Sequence, residues 1–256
     1  MWHKPAAVFA LLALATPVLA APPSSGSVRL AAATKAARED VDLMPKVVPN
    51  ATVNATVAAR INAALRREDA RAIAAAHECH ASYQGVEQEN AGGKWMRSVS
   101  VTMSGPRYLA YQVSDSYYCG GPYPNDGLRS DFVYDLATGA PVNWLRLFPK
   151  GAVARGSTAP AGAPLGVIAW SALTKRAVAQ AQPECREVFT EGGDTTFSMG
   201  LDGTAGSLIA MPVDFPHVIQ ACAEEVVLDG AALRRLGFAP ALREALARAQ
   251  EQPQRR

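Results

Sequence analysis

Beyond Thr16 the sequence has no long apolar run, so it offers nothing near the roughly 20 residues that a membrane-spanning helix needs. It also lacks a strong excess of one charge, with a formal net charge of +2. That argues against nucleic acid as a partner, since a phosphate backbone calls for a basic patch or stripe. There is no Cys-x-x-Cys, which removes a thioredoxin-type redox role. The Gly-x-Ser-x-Gly elbow, the phosphate-binding Gly-rich loop and His-Glu-x-x-His are all missing, and with them three common routes to hydrolysis or nucleotide chemistry. No internal repeat is visible.

What is present begins at the N-terminus. His3 and Lys4 precede an apolar stretch from Ala6 to Thr16, then Pro17 and Val18-Leu19-Ala20. A short positive region, an apolar core of signal-peptide length and a small residue at the cut make residues 1–20 an export signal. No Cys follows the apolar run, so a lipid anchor is not expected. The leader holds one charged residue, Lys4, which leaves the rest of the chain near neutral. The expected location is periplasmic or secreted, without a stable membrane anchor.

The four cysteines are Cys79, Cys119, Cys185 and Cys222. An even number in an exported chain implies two disulfides. Three pairings are possible, and Cys79–Cys119 with Cys185–Cys222 is favoured because each pair joins neighbouring segments of the same half. A reactive thiol at Cys119, beside Gly120-Gly121, is the competing reading.

Residues 21–49 read as a flexible N-terminal arm that lends one strand to the body. Asn50-Ala51-Thr52 and Asn54-Ala55-Thr56 mark a helix start, with Asn54 or Thr56 as its cap. Val57, Ile61, Ala64, Leu65 and Ile73 recur at helical spacing opposite a charged face, predicting a helix from Val57 to about Ala76. The period then changes. Met96 to Ser104, Tyr108 to Tyr117 and Ser130 to Leu136 read as three strands of an antiparallel meander, with a turn at Gly105-Pro106-Arg107. Ala163 to Ala181 predicts a second helix stopped by Pro183. Strands over Thr195–Ser198, Ser207–Val213 and Glu224–Leu228 follow, then a helix from Leu233 to Ala249. Residues 250–256 read as a disordered tail. This order predicts an α+β fold, an antiparallel sheet packed by helices and stapled by two disulfides, over residues 50–249.

Three motifs then stand out: Tyr117-Tyr118-Cys119-Gly120-Gly121-Pro122-Tyr123-Pro124, Phe132-Val133-Tyr134-Asp135-Leu136-Ala137-Thr138-Gly139 and Leu145-Arg146-Leu147-Phe148-Pro149. Together they resemble the RsiV-like domain family, whose pattern is an aromatic strand, a Gly-Gly-x-x-Pro loop, a strand ending Phe-Asp-Leu-x-Thr-Gly and a Leu-Phe turn. Phe197 to Gly203 and Ala210 to Val213 would fill the family's later hairpin and apolar strand. The match covers roughly Val99 to Leu236. Such domains occur at the C-terminus of a lysozyme-binding anti-sigma factor and beside the catalytic domain of a peptidoglycan deacetylase. The resemblance implies a noncatalytic binding domain for an envelope ligand, either a lysozyme-like protein or a peptidoglycan fragment. The family loop carries Ala-His where this chain has Pro122-Tyr123, and Cys119 replaces its aromatic or small residue.

Among chemistry-bearing residues, tyrosines lead. Tyr117, Tyr118, Tyr123 and Tyr111 gather around the Gly-Gly loop in sequence, with Asn125 and Asp126 close by. Tyrosine offers rigid contact area with a polar tip, which suits protein or glycan recognition. Tyr118, Tyr123, Asn125 and Asp126 are the expected binding residues. His77-Glu78-Cys79-His80 places His77 and His80 on one helix face, but two further ligands would be needed, so no metal and no cofactor is expected. His217 is a weaker candidate ligand of the same kind. The alternative to binding is an envelope hydrolase with a carboxylate site. Asp131 and Asp135, on one strand face, are its candidates, at a separation read as compatible with glycosidase geometry. No pair is convincing enough to name a catalytic residue.

Overall fold

The computed structural model describes residues 28–36, 40–83, 94–119, 126–154, 167–190, 195–213 and 215–251. Residues 1–20, expected to form an export signal, Tyr123 and Asn125, and most of the expected tail lie outside them.

The N-terminal segment is built into the body. Four short strands, β1 (Arg29–Leu30), β2 (Thr34–Lys35), β3 (Asp40–Leu43) and β4 (Val47–Val48), lead into helix α1 (Ala55–Tyr83). Val28, Val41, Met44 and Val47 from this segment are all buried. The average polarity of the segment conceals these few anchors, which together pack it against the core. Asn54 caps α1, its side chain accepting the Val57 amide at 3.0 Å. Asn50 makes a similar turn just before it, accepting the amides of Thr52 and Val53. Both acceptor-type sequons therefore act as local backbone braces. The helix runs seven residues past the expected end at Ala76.

The expected meander follows as β5 (Lys94–Ser104), β6 (Tyr108–Tyr118) and β7 (Asp126–Asp135). With the N-terminal strands it makes a five-stranded sheet in the order β2-β3-β5-β6-β7. One pair, β3 with β5, is parallel. The remaining pairs are antiparallel. One face of this sheet lies under α1, where Leu109, Tyr111, Val113, Phe132 and Tyr134 meet Val57, Ile61 and Leu65.

A β-bulge decides what the other face does. Val101 stands opposite Tyr111, but Met103 stands opposite Ala110, so Thr102 is the extra residue. The bulge turns Met103 away from α1 and into the second core, where it packs with Tyr108, Ala110 and Val133. A simple alternation places Met103 beside Val101, because period two cannot register an inserted residue. The carbonyl of Thr102 accepts the amide of Gly203 at 2.8 Å, tying the bulge to the second sheet.

That second sheet contains β8 (Val153–Ala154), β9 (Val167–Ala169), β10 (Thr196–Asp202), β11 (Ser207–Pro212) and β12 (Val226–Leu228), in the order β12-β11-β10-β9-β8. Here the expected helix over 163–181 is corrected. Val167–Ala169 is a strand paired with β10, and helix α2 is only Ser171–Gln180. The β-branched pair Val167-Ile168 prefers the pleat, and Ile168 and Ala169 gain burial there. Pro183 acts as expected, holding Gln182 extended. A five-residue helix α3 (Arg186–Thr190) comes next.

The C-terminal helix is likewise corrected. It is two helices, α4 (Gly230–Leu236) and α5 (Pro240–Glu251). Gly237 ends α4 in the left-handed conformation, with φ 81°, and Pro240 starts α5 at the first helical position. Gln250 belongs to α5 rather than to the tail. Trp144, Phe148, Trp170 and Phe238 interlock edge to face beneath these helices. Both disulfides form as expected: Cys79–Cys119 joins α1 to the end of β6, and Cys185–Cys222 joins α3's approach to the segment before β12.

Candidate functional site

The first sheet is longer than the core that covers it. On the face turned from α1, side chains fall in rows across the strands. Met103, Ala110 and Val133 form a row buried beneath the second sheet. The next two rows along are polar, Ser100, Gln112 and Asp131, then Ser98, Ser114 and Arg129, and beyond them lie Met96, Ser116 and Gly127. Strand β10 lies across the sheet at the boundary between the two regimes. The polar rows extend beyond it as the floor of a groove.

The main lobe of this groove has a volume of about 740 Å³, within the range of ligand sites. Ser114, Gly127 and Arg129 line its floor. Val167, Ser198, Met211, Pro212, Val213 and Phe215 form an opposite, more apolar wall. The two-turn segment His217–Cys222, a 3-10 helix, closes one side through Gln220 and Ala221. Phe215 is itself braced by Phe189, with ring centroids 5.4 Å apart. A second lobe of about 370 Å³ spreads over Met96, Ser98, Ser114 and Ser116 towards Lys35, Asp40 and Asp42. Ser114 lines both lobes.

Polar contacts join the two sheets along the groove. Gln220 Nε2 donates to the Gly127 carbonyl at 3.0 Å. Arg129 is paired with both Glu225 and Asp131, the latter at 3.4 Å. Ser198 Oγ lies 3.5 Å from Asp131 Oδ2. Burial pushes the Asp131 carboxyl above its ordinary range, while Arg129 and the Ser198 hydroxyl pull it back down. In the second lobe Lys35 is 2.5 Å from Asp40 and 3.8 Å from Asp42.

The sequence-derived candidates fall differently. Tyr118 ends β6, and Asp126 begins β7 opposite Tyr117. The Asp126 side chain, Tyr123 and Asn125 lie outside the described residues. Gly127, next to Asp126, lines the groove. Tyr117 stacks on Trp95, centroids 4.5 Å apart and planes 8° from parallel. Tyr111 does not join any surface cluster. It is fully buried under α1, where its hydroxyl donates to the Pro45 carbonyl at 2.6 Å.

The proposed carboxylate pair is also corrected. Asp131 and Asp135 do share a face, but residues four apart along a strand are roughly 13 Å apart, beyond glycosidase spacing. Asp135 is engaged by Arg107 at 2.7 Å at the far end of β7. Asp131 is buried beneath β10. Cys79 is oxidised, so its thiol is spent in the bridge to Cys119 rather than placed beside His77 and His80. Among the described residues no group of three or more His, Cys, Asp or Glu could hold a metal ion. Also among them, no helix is long and apolar enough to cross a membrane.

Sequence reading missed the groove itself. Its signal was present as serines at every second position, Ser98 and Ser100 on one strand, Ser114 and Ser116 on the next. Those read only as the solvent side of a half-buried sheet. The apolar wall comes from residues far along the chain, which no local pattern connects to them. Neither a protein-family model nor a curated protein matches the chain.

Proposed function

We propose that this chain is a noncatalytic binding domain for a cell-envelope ligand, a peptidoglycan fragment, which it holds in the groove between its two sheets. The observation that carries the reading is the groove's construction: Ser114, Gly127 and Arg129 on the meander face a wall of Met211, Pro212 and Phe215, and Ser98 and Ser116 continue the floor into the second lobe. Such a surface offers many weak, reversible hydrogen bonds and apolar contact, which is the chemistry of recognition. The nearest buried carboxylate, Asp131, is roofed by β10 and tied to Arg129 and Ser198, a poor position for attacking a bound substrate.

Two disulfides fit a compartment outside the reducing cytoplasm, and the N-terminal export signal directs the chain there. The resemblance to RsiV-like domains points the same way. A protein partner such as lysozyme would instead engage the Gly-Gly segment through Tyr118, Tyr123, Asn125 and Asp126.

The test is binding of the chain from Ala21 onward to immobilised peptidoglycan and to immobilised lysozyme, with Ser114→Trp and Tyr123→Ala as variants. Peptidoglycan binding without turnover, abolished by Ser114→Trp, is the expected result. Lysozyme binding lost in Tyr123→Ala would move the site to the loop. Solubilisation of peptidoglycan that disappears in Asp131→Asn would replace the binding domain with a hydrolase.

A further inference from the structure

The charges around the groove point to its ligand. Lys35 is held by Asp40 and Asp42. Arg129 is held by Asp131 and Glu225. Asp115 accepts from Trp95 Nε1 at 3.1 Å. Arg97, which also lines the second lobe, donates to the Glu68 carbonyl and lies 3.9 Å from Asp69. Every one of these cations and carboxylates thus already has a partner within the protein. A ligand carboxylate or phosphate would have to take Arg129 or Lys35 from its acids, and a ligand ammonium would have to do the reverse. At Arg129, whose partner Asp131 is buried, the exchange strands a charge in a partly dry site, which is costly; Lys35 and Asp40 are exposed, and their pair is worth little.

Beside these paired charges the floor carries neutral hydroxyls, Ser114 in the main lobe and Ser98, Ser114 and Ser116 in the second. Ser98 and Ser114 face each other across β5 and β6, and Ser116 is one pleat further along. Each hydroxyl both donates and accepts, so the floor matches ligand hydroxyls and amides without fixing their direction. The opposing wall of Val167, Met211, Pro212 and Phe215 is apolar. A ligand filling the main lobe has one polar edge and one C–H-rich face, and its continuation into the second lobe meets serine hydroxyls beside paired charges.

We infer that the groove takes a neutral N-acetylated sugar chain, with its hydroxyls on the serine floor and its ring faces and acetyl methyls on the wall, and that it excludes acidic peptide. This rests on the binding reading above and narrows it to the glycan part of the wall polymer. Because no ion pair forms with the ligand, affinity is insensitive to salt.

The experiment titrates the full chain from Ala21 with an N-acetylglucosamine tetramer and, separately, with an acidic tetrapeptide, by calorimetry at low salt and at about 0.5 M salt. The tetramer is expected to bind with affinity unchanged within about two-fold across that range, and the peptide not to bind. Ser114→Phe, at an exposed position, is expected to weaken the tetramer about ten-fold or more while thermal unfolding stays as in the parent. Met211→Ala, which opens the wall instead of filling the floor, is expected to weaken it less. If peptidoglycan or lysozyme binds but the tetramer does not, the glycan inference is overturned and the binding domain stands. If none of the three binds, both fall. Tetramer binding that collapses in salt, or that ignores Ser114→Phe, also overturns the glycan inference.

Discussion

Gly200 on β10 lies directly against the carboxylate of Asp131 on β7: a Cβ built on Gly200 would sit 2.6 Å from Asp131 Oδ1. The two sheets approach each other this closely only because one residue has no side chain and the other is held in place. Asp131 cannot swing aside, since Arg129 and Ser198 bind its oxygens. Gly200→Ala should therefore force the sheets apart and destabilise the protein by about 1–3 kcal/mol, the usual cost of overpacking. Urea unfolding measures it, and an unchanged midpoint would mean that the sheets are not in rigid contact there.

The same carboxylate makes a pH prediction. Burial raises the folded-state pKa of Asp131, so the native chain binds its proton more readily than the unfolded chain does. Ionised Asp131 therefore costs stability at neutral pH, and the cost fades as pH falls through the raised folded pKa towards the ordinary carboxylate value. Asp131→Asn keeps the shape and removes the ionisation, leaving Arg129 with Glu225. The melting temperature of the variant relative to the parent should be higher at pH 7 than at pH 4. The opposite slope would show that the Arg129 pair outweighs burial.

The meander, the helix over its face and both disulfides were legible because their signals are local: alternation, a 3.6-residue period and cysteine order. The failures share one cause. Thr102 bulges because Gly203, a hundred residues away, binds its carbonyl. Val167-Ile168 is a strand because β10 offers it a partner. The groove exists because β10 stops short of Ser98 and Ser114. Tertiary partners settle each case, and no window of neighbouring residues contains them.

Beneath α1 lies a charge cluster that sequence reading passed over as a solvated helix face. Asp69 is buried, accepts the Met44 amide at 3.1 Å, pairs with Lys46 and lies 3.9 Å from the buried Arg97. Desolvation lowers the Arg97 pKa, with Asp115 and Asp69 opposing it. Asp69→Ala would leave Arg97 short of a counter-charge and the Met44 amide without its acceptor. A loss of about 3–5 kcal/mol is expected, read by urea unfolding. The double change Asp69→Leu with Arg97→Met should recover much of it, because the cost lies in the stranded cation. No recovery would place the cost in the Met44 contact instead.

The two disulfides should prove unequal in function while alike in stability. Each closes a loop of similar length, at separations of 40 and 37 residues, so replacing either pair by alanines should cost about 2–5 kcal/mol. Only Cys222, however, lies in the two-turn segment His217–Cys222 that carries Gln220 and Ala221 to the groove wall. In the Cys185→Ala, Cys222→Ala protein that segment keeps Gln220 on Gly127 and the nearby Glu225 on Arg129, both at an exposed edge where such bonds are weak. Its amides from Ile219 to Ala223 should exchange faster than in the parent, and groove binding should weaken with them. The Cys79→Ala, Cys119→Ala protein, equally destabilised, should keep slow exchange in that segment. Equal exchange in the two variants would mean that the wall is held by those polar contacts and that the Cys185–Cys222 bridge serves stability alone.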